Sequence, residues 1–222
     1  MSFGKIFGTL VVIGLIIWGF YYFKDHKVAM PNTEPAKEQT QAPTEEPAAE
    51  NPTPESAVAL IETNMGSFEV TLNGKAAPKT VANFIKLATD GYCNNTKFHR
   101  ILKDFVIQGC DPNSKQDDPT TWGQGGPGYT VPAEIGLKAN VGAIGMASTQ
   151  AKGPSSGSQF FIVTKESADV QASLDGNYTF FGYVTSGMDV VTKIAAVPVQ
   201  PNLYDEPSLP INPVIIKKIT IK

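Results

Sequence analysis

A mainly β domain, closed into a barrel or sandwich with helices packed against it, is the fold this sequence of 222 residues predicts from residue 57 onward. Three observations predict it. Short runs rich in Val, Ile, Phe and Tyr recur between turn residues throughout 57–222. Only two stretches carry apolar residues at helical spacing. The chain is 41% hydrophobic, enough for one core of ordinary size.

Taken in order, "ALIETNMGSFEVTL" (59–72) reads as a β-hairpin turning at Asn64-Met65-Gly66. "PKTVANFIKLATDG" (78–91) reads as a helix with Val81, Phe84, Ile85 and Ala88 on one stripe, Pro78 in its first turn and Gly91 at its stop. Residues 97–102 and 105–108 form a second hairpin about Lys103-Asp104. Strands are expected at 143–147, 159–164, 179–184 and 213–221. A second helix at 187–197 turns Val190, Val191, Ile194 and Ala195 inward.

The second hairpin, "KFHRILKDFVIQG" (97–109), holds an arginine in a stretch that a folding chain should bury. A guanidinium cannot shed its charge, so Arg100 must be paired or reach a wet cleft. Gln108 is likewise a polar group among apolar ones, and these two residues suggest a cleft by their chemistry alone. Phe105 and Phe161, like Phe160, Phe180 and Phe181, pass for core by pattern. Strict alternation across a two-residue turn puts Arg100 on the face of Phe105 and Gln108 on the opposite face.

The first 56 residues have a different character. Residues 6–23, "IFGTLVVIGLIIWGFYYF", carry no charge and as a helix would span about 27 Å, enough for a bilayer core. Trp18, Tyr21 and Tyr22 crowd its far end as interfacial aromatics do. A cleavable signal is disfavoured because a cut after Ala29 would place Lys27 where a small residue belongs. Residues 1–30 are therefore expected to be a single-pass membrane anchor. Residues 31–56 are rich in Pro and Glu and lack aromatics, so they form an extended tether. The short N-terminal tail favours an extracytoplasmic domain at 57–222.

Residues 56–222 carry fourteen basic and fourteen acidic side chains, so nucleic acid, which needs a basic stripe, is not an expected partner. Two famous signatures lack their context. "GQGGPG" (123–128) fits a dinucleotide fingerprint but leads into Pro127 and "YTVPAE" rather than a helix. "GPSSG" (153–157) fits a nucleophile elbow but precedes the strand "SQFFIVT". His99 reads as a satisfied core histidine. Asp111, Asn113 and Asp117 could hold a hard cation, yet the glycine and glutamate of a calcium loop are missing, and no metal is expected. Cys93 and Cys110 are either a disulfide or two buried thiols.

"FHRILKDFVIQG", "GGPGY", "GMAS", "GSQFFIVT" and "LDGNYTFFGYVTSGMDVV", in that order, resemble the successive motifs of the cyclophilin peptidyl-prolyl isomerases. The resemblance covers essentially residues 57–222; the anchor suggests a membrane-bound form, and the Asn177 sequon, where a glycan would crowd Tyr178, favours a bacterial-like one. It implies a closed eight-stranded antiparallel β-barrel capped by two helices. No cofactor is implied; the domain would be monomeric and act on proline-containing polypeptides. By similarity Arg100, Phe105 and Gln108 are catalytic, while Ala147, Ser148, Gln159, Phe161, Leu174 and Tyr178 line the proline groove.

Rotation about an X–Pro bond is slow because amide resonance must be lost, a barrier of about 18–20 kcal/mol. At the twisted geometry the proline nitrogen recovers its lone pair, and a fixed donor aimed at it binds that geometry better than either planar isomer. Arg100 is the expected donor, which requires that it face an open groove and not be locked in an internal ion pair. There are departures from the family pattern. Ser173 stands where many members have tryptophan, which puts tight cyclosporin binding in doubt, and Tyr178 stands where they have histidine. The 146–159 and 111–123 loops look extended, and Trp122 could widen or cover the substrate path. The alternative to an enzyme of unfolded or exported chains is a module or chaperone that binds proline segments, with incidental turnover.

Overall fold

The first hairpin forms as its alternation dictates. Strand β1 (Ser56–Thr63) pairs antiparallel with β2 (Gly66–Asn73), and Ala59, Ile61, Phe68, Val70 and Leu72 are buried on their shared inner face. The computed structural model describes residues 54–222. The expected anchor at 6–23 and nearly all of the tether lie outside them. Among the described residues no helix is long and apolar enough to cross a membrane.

Helix α1 (Pro78–Thr89) starts and stops where the sequence signals it. Its N-cap, Ala77, has no side chain able to satisfy the free N–H groups, and a distant carboxylate does so instead. Glu134 accepts from the Lys79 and Thr80 N–H groups at 3.0 and 2.9 Å and from the Thr80 hydroxyl at 2.8 Å. At the other end Gly91, at φ +67°, donates to Ala88, and Tyr92 donates to Leu87; together these bonds make a Schellman stop.

Strands β3 (Thr96–Lys97), β4 (Arg100–Leu102), β5 (Val106–Gly109), β6 (Ala143–Met146), β7 (Phe160–Val163), β8 (Phe180–Ser186) and β11 (Ile215–Ile221) join the first hairpin in one sheet, in the order β3-β11-β1-β2-β8-β6-β7-β5-β4. This corrects the closed eight-stranded barrel. The expected strand at 97–102 breaks at Phe98 and His99, because the Phe98 N–H turns to the Val214 carbonyl while Arg100 pairs with Gln108. The nine-stranded sheet curls into a half-barrel, and its two edge strands share no ladder. Phe98 and His99, consecutive in the chain and both buried, carry the backbone across the seam.

The expected two helices are also corrected: α1 and α3 (Met188–Ala195) are joined by α2 (Ala168–Leu174). Ser167 caps α2 by accepting from the Val170 N–H. A separate two-stranded sheet, β9 (Val199–Pro201) with β10 (Pro207–Pro210), packs beside β4 and had no expectation in the pattern. Its prolines suit a short edge hairpin.

Buried side chains form two groups. The larger lies between the sheet and helices α1 and α3 and includes Phe68, Phe84, Phe98, Phe160 and Phe181. The smaller gathers Val106, Phe161, Val163, Val170, Leu174 and Phe180, with Phe105, Ala147 and Tyr178 packed partly exposed against it. This second group carries five of the residues expected at the site: Phe105, Ala147, Phe161, Leu174 and Tyr178.

Candidate active site

A row of directly opposed residues crosses four strands. Arg100 faces Gln108, Gln108 faces Phe161, and Phe161 faces Gly145. Opposed residues share a face of the sheet, so the guanidinium, the amide and the aromatic ring project to the same side. The placement of Gln108 overturns the alternation argument. Leu102 pairs with Val106, which leaves Lys103, Asp104 and Phe105 as a three-residue loop closed by the Phe105 N–H on the Leu102 carbonyl at 3.1 Å. Asp104 takes the left-handed backbone that such a loop requires, at φ +61°. The extra loop residue slides β5 by one position and brings Gln108 round to Arg100.

Arg100 is in an internal ion pair, contrary to what the sequence argument required. Its Nε and Nη2 donate to Glu206 Oε2 and Oε1 at 2.7 Å each, a two-pronged pairing. Its Nη1 donates to Gln108 Oε1 at a long 3.4 Å. A guanidinium has five N–H groups. Three are spent here, and one each on Nη1 and Nη2 keeps no partner among the described residues. The side chain is still 33% exposed, and Glu206 takes only the Nε–Nη2 edge of the guanidinium. Burial pushes the Glu206 carboxyl up, but hydrogen bonding and charge from Arg100 outweigh it and hold the group below the usual carboxylate range.

Gln108 and Gln159 have their amides oriented by what surrounds them. Gln159 Nε2 donates to the carbonyls of Gly123 and Gly125 at 3.1 and 2.8 Å, and these oxygens can only accept. Gln159 Oε1 therefore faces Gln108 Nε2, at 2.9 Å, which turns Gln108 Oε1 toward Arg100. Gln159 is buried and acts on Gln108 rather than presenting itself to solvent.

The apolar wall stands beside this network. The Phe161 ring meets Tyr178 edge-on at 5.5 Å between centroids and Phe180 at 5.6 Å. Gly145 makes room for it: a Cβ there would come within 2.8 Å of Phe161 Cζ and 2.9 Å of Phe180 Cε1. Leu174, at the end of α2, completes the floor at 4% exposure. Phe105, in the hairpin loop, and Ala147, just past β6, sit half-buried at its margin.

Ser148 offers less than its position suggests. Its hydroxyl donates toward the carbonyls of Gln150 and Pro154 at 2.8 and 2.9 Å and so folds its own loop. The main chain of Ala147 is spent as well, donating to Gln159 and accepting from Ser156. Trp122 is held by its own loop and by Lys97. Its indole N–H donates to the Gln116 carbonyl, and its ring lies over the buried Lys97 ammonium at 4.9 Å. Asp111 is used by its own loop, accepting from the N–H groups of Asn113 and Gly123.

His99 is buried as expected but not satisfied, since neither ring nitrogen has a hydrogen-bond partner. Burial pushes its pKa down to about 4, against a smaller opposing pull from Asp111, so the ring is neutral at pH 7. Cys93 and Cys110 are joined in a disulfide with Cα atoms 4.9 Å apart. Glu206 was missed by sequence reasoning. It lies 106 positions from Arg100, and the only local hint was the turn "NLYDE" between Pro201 and Pro207.

Comparison with known proteins finds relatives over most of the described residues. The family model described as "Cyclophilin type peptidyl-prolyl cis-trans isomerase/CLD" matches residues 58–221. Peptidyl-prolyl cis-trans isomerase CYP18-2 of Arabidopsis thaliana is 40% identical over 141 residues, which is 62% of this chain and 79% of that protein. Peptidyl-prolyl cis-trans isomerase-like 1 of Homo sapiens is 40% identical over 151 residues, 66% of this chain and 83% of that protein. Among solved structures, a cyclophilin type peptidyl-prolyl cis-trans isomerase of Cryptosporidium parvum superposes with a TM-score of 0.63 at 34% identity, covering 75% of this chain and 98% of that one. The same parasite protein crystallised in the presence of the dipeptide Ala-Pro gives 0.61, at 34% identity, over 74% and 98%.

Proposed function

The chain belongs to the cyclophilin-type peptidyl-prolyl cis-trans isomerase family and is an isomerase of that class, and from that premise we propose that Arg100 speeds X–Pro rotation by donating its outer guanidinium edge to the twisted imide nitrogen. The observation that carries this reading is the row Arg100, Gln108, Phe161 on one face of the sheet, which sets a charged donor beside an apolar floor. The proline ring rests on Phe161 and Leu174, with Phe105 and Tyr178 at the sides. The nitrogen then lies toward Arg100, whose two remaining N–H groups point away from Glu206. No bond is made or broken, so the gain comes from stabilising the pyramidal nitrogen and from holding one end of the peptide while the other turns.

The substrates are proline-containing segments of unfolded or exported polypeptides, and the domain works outside the cytoplasm on the anchor and tether of residues 1–56. Two features support that setting: the uncharged run at 6–23, and a disulfide of the kind that persists in oxidising compartments. A short X–Pro peptide tests the reading by exchange NMR. A substoichiometric amount of protein is expected to speed exchange between the cis and trans resonances. Resonance shifts that report binding, without faster exchange, would contradict it. The ion pair on Arg100 is the one observation that favours the second reading, a groove that binds proline segments with little turnover, because it draws charge from the donor.

A further inference from the structure

We propose that Glu206 is a positioning residue for the isomerisation, and that the β9–β10 hairpin serves to hold its carboxylate against the inner edge of Arg100; this rests on the catalytic reading of Arg100 given above. The hairpin shares no ladder with the main sheet, and its tip leaves Leu203 and Tyr204 at 61% and 69% exposure, so the tip contributes little to the core. What it builds with care is the approach to Glu206.

One side chain organises the turn. Asn202 Oδ1 accepts from the N–H groups of Tyr204 and Glu206 at 2.8 and 3.1 Å, and its Nδ2 reaches Ser208 Oγ at 3.1 Å and Glu206 Oε2 at 3.4 Å. The Asn202 N–H closes the turn on the Glu206 carbonyl at 2.9 Å. Both the backbone and the carboxylate of Glu206 are thus fixed before they meet Arg100.

The consequence is a guanidinium gripped from two sides. Glu206 holds Nε and Nη2, while Gln108, itself oriented by Gln159, holds Nη1. An unpaired arginine in a half-open groove would sample several rotamers and bring its donor into place only part of the time. Fixing the plane of the guanidinium ahead of the reaction removes that loss, and the benefit falls on the chemical step rather than on binding.

The test compares four forms of the full chain on one X–Pro peptide: wild type, Glu206→Gln, Arg100→Ala and the double variant. Glu206→Gln is expected to lower kcat by about tenfold with KM changed less than about twofold. In the Arg100→Ala background the same change is expected to have no further effect, because its target is gone. A kcat for Glu206→Gln at or above wild type overturns the proposal, as does an undiminished loss in the Arg100→Ala background. Arg100→Ala impaired with Glu206→Gln at wild-type rate leaves the catalytic reading standing and removes only the positioning role. Arg100→Ala at wild-type rate removes both. The Arg100 Nε–H resonance gives a readout independent of turnover: protected from solvent exchange in the wild type and fast-exchanging in Glu206→Gln. Equal protection in the two would also overturn it.

Discussion

At Arg100 two demands meet: a charge that cannot be shed has to be tolerated in a half-buried row of side chains, and a donor has to stay available to the groove. The structure meets the first by pairing one edge of the guanidinium with Glu206, and the proposed role draws on the two N–H groups that keep no partner among the described residues. Its neighbour His99 shows the opposite arrangement, a group kept uncharged by burial. Its folded-state pKa of about 4 lies below the ordinary 6.5, so between those values the unfolded chain takes up a proton that the folded chain refuses. Stability from this source is therefore lost as pH falls from about 6.5 to 4, by about 3 kcal/mol in all. Urea melts at pH 7 and pH 4.5 are expected to show a smaller acid-induced drop for His99→Gln than for the wild type; equal drops would contradict the assignment. Arg100 could be singled out from sequence because a charge in an apolar run demands an explanation. Glu206 could not, since no local pattern ties an acid to a partner 106 positions away.

Among the elements, the 97–109 hairpin shows how far a pattern reaches. Its two strands were legible from β-branched and aromatic residues, but which face Gln108 occupies depends on whether the loop has two residues or three, and Lys103-Asp104 alone does not decide that. The helices divide similarly. Pro78 and Gly91 marked the ends of α1, whereas the seven residues of α2 are too short to declare a helical period and are set by the Ser167 cap and by Val170 and Leu174 packing into the smaller core. The strands of the proline-rich β9–β10 hairpin were hidden by residues that usually argue against strands. The disulfide, left open by the sequence, ties the segment after α1 to the end of β5 across a separation of 17 residues. Closing a loop of that size stabilises by about 3 kcal/mol. A Cys93→Ala/Cys110→Ala double variant, or the reduced wild type, is expected to lose about that much in denaturant unfolding while keeping its turnover in buffer. Unchanged midpoints would contradict the bridge.

At the scale of the domain, the curled sheet stays open, and the site sits at the seam where the chain passes from one edge strand to the other. Phe98 and His99 carry the backbone from one edge strand to the other, so Arg100 emerges at the seam, and at the seam the β9–β10 hairpin finds room to dock. A mainly β fold was legible in the number of short strands; that the sheet stays open at a seam was not, because it depends on where Phe98 spends a single N–H. The N-terminal part is expected to place this domain at a membrane. Full-length protein in fractionated cells should remain with the membranes through high-salt and alkaline washes, with residues 57–222 open to added protease only from the extracytoplasmic side. Release by salt alone would contradict the anchor.

The most direct measurement is the turnover of a short X–Pro peptide by Arg100→Ala, with circular dichroism and a melting curve to show that the domain still folds. Losing a charge-assisted bond made mainly at the twisted geometry costs roughly 2–4 kcal/mol, so kcat/KM is expected to fall about 30- to 1000-fold. A folded Arg100→Ala protein that turns the peptide over at nearly the wild-type rate would contradict the account.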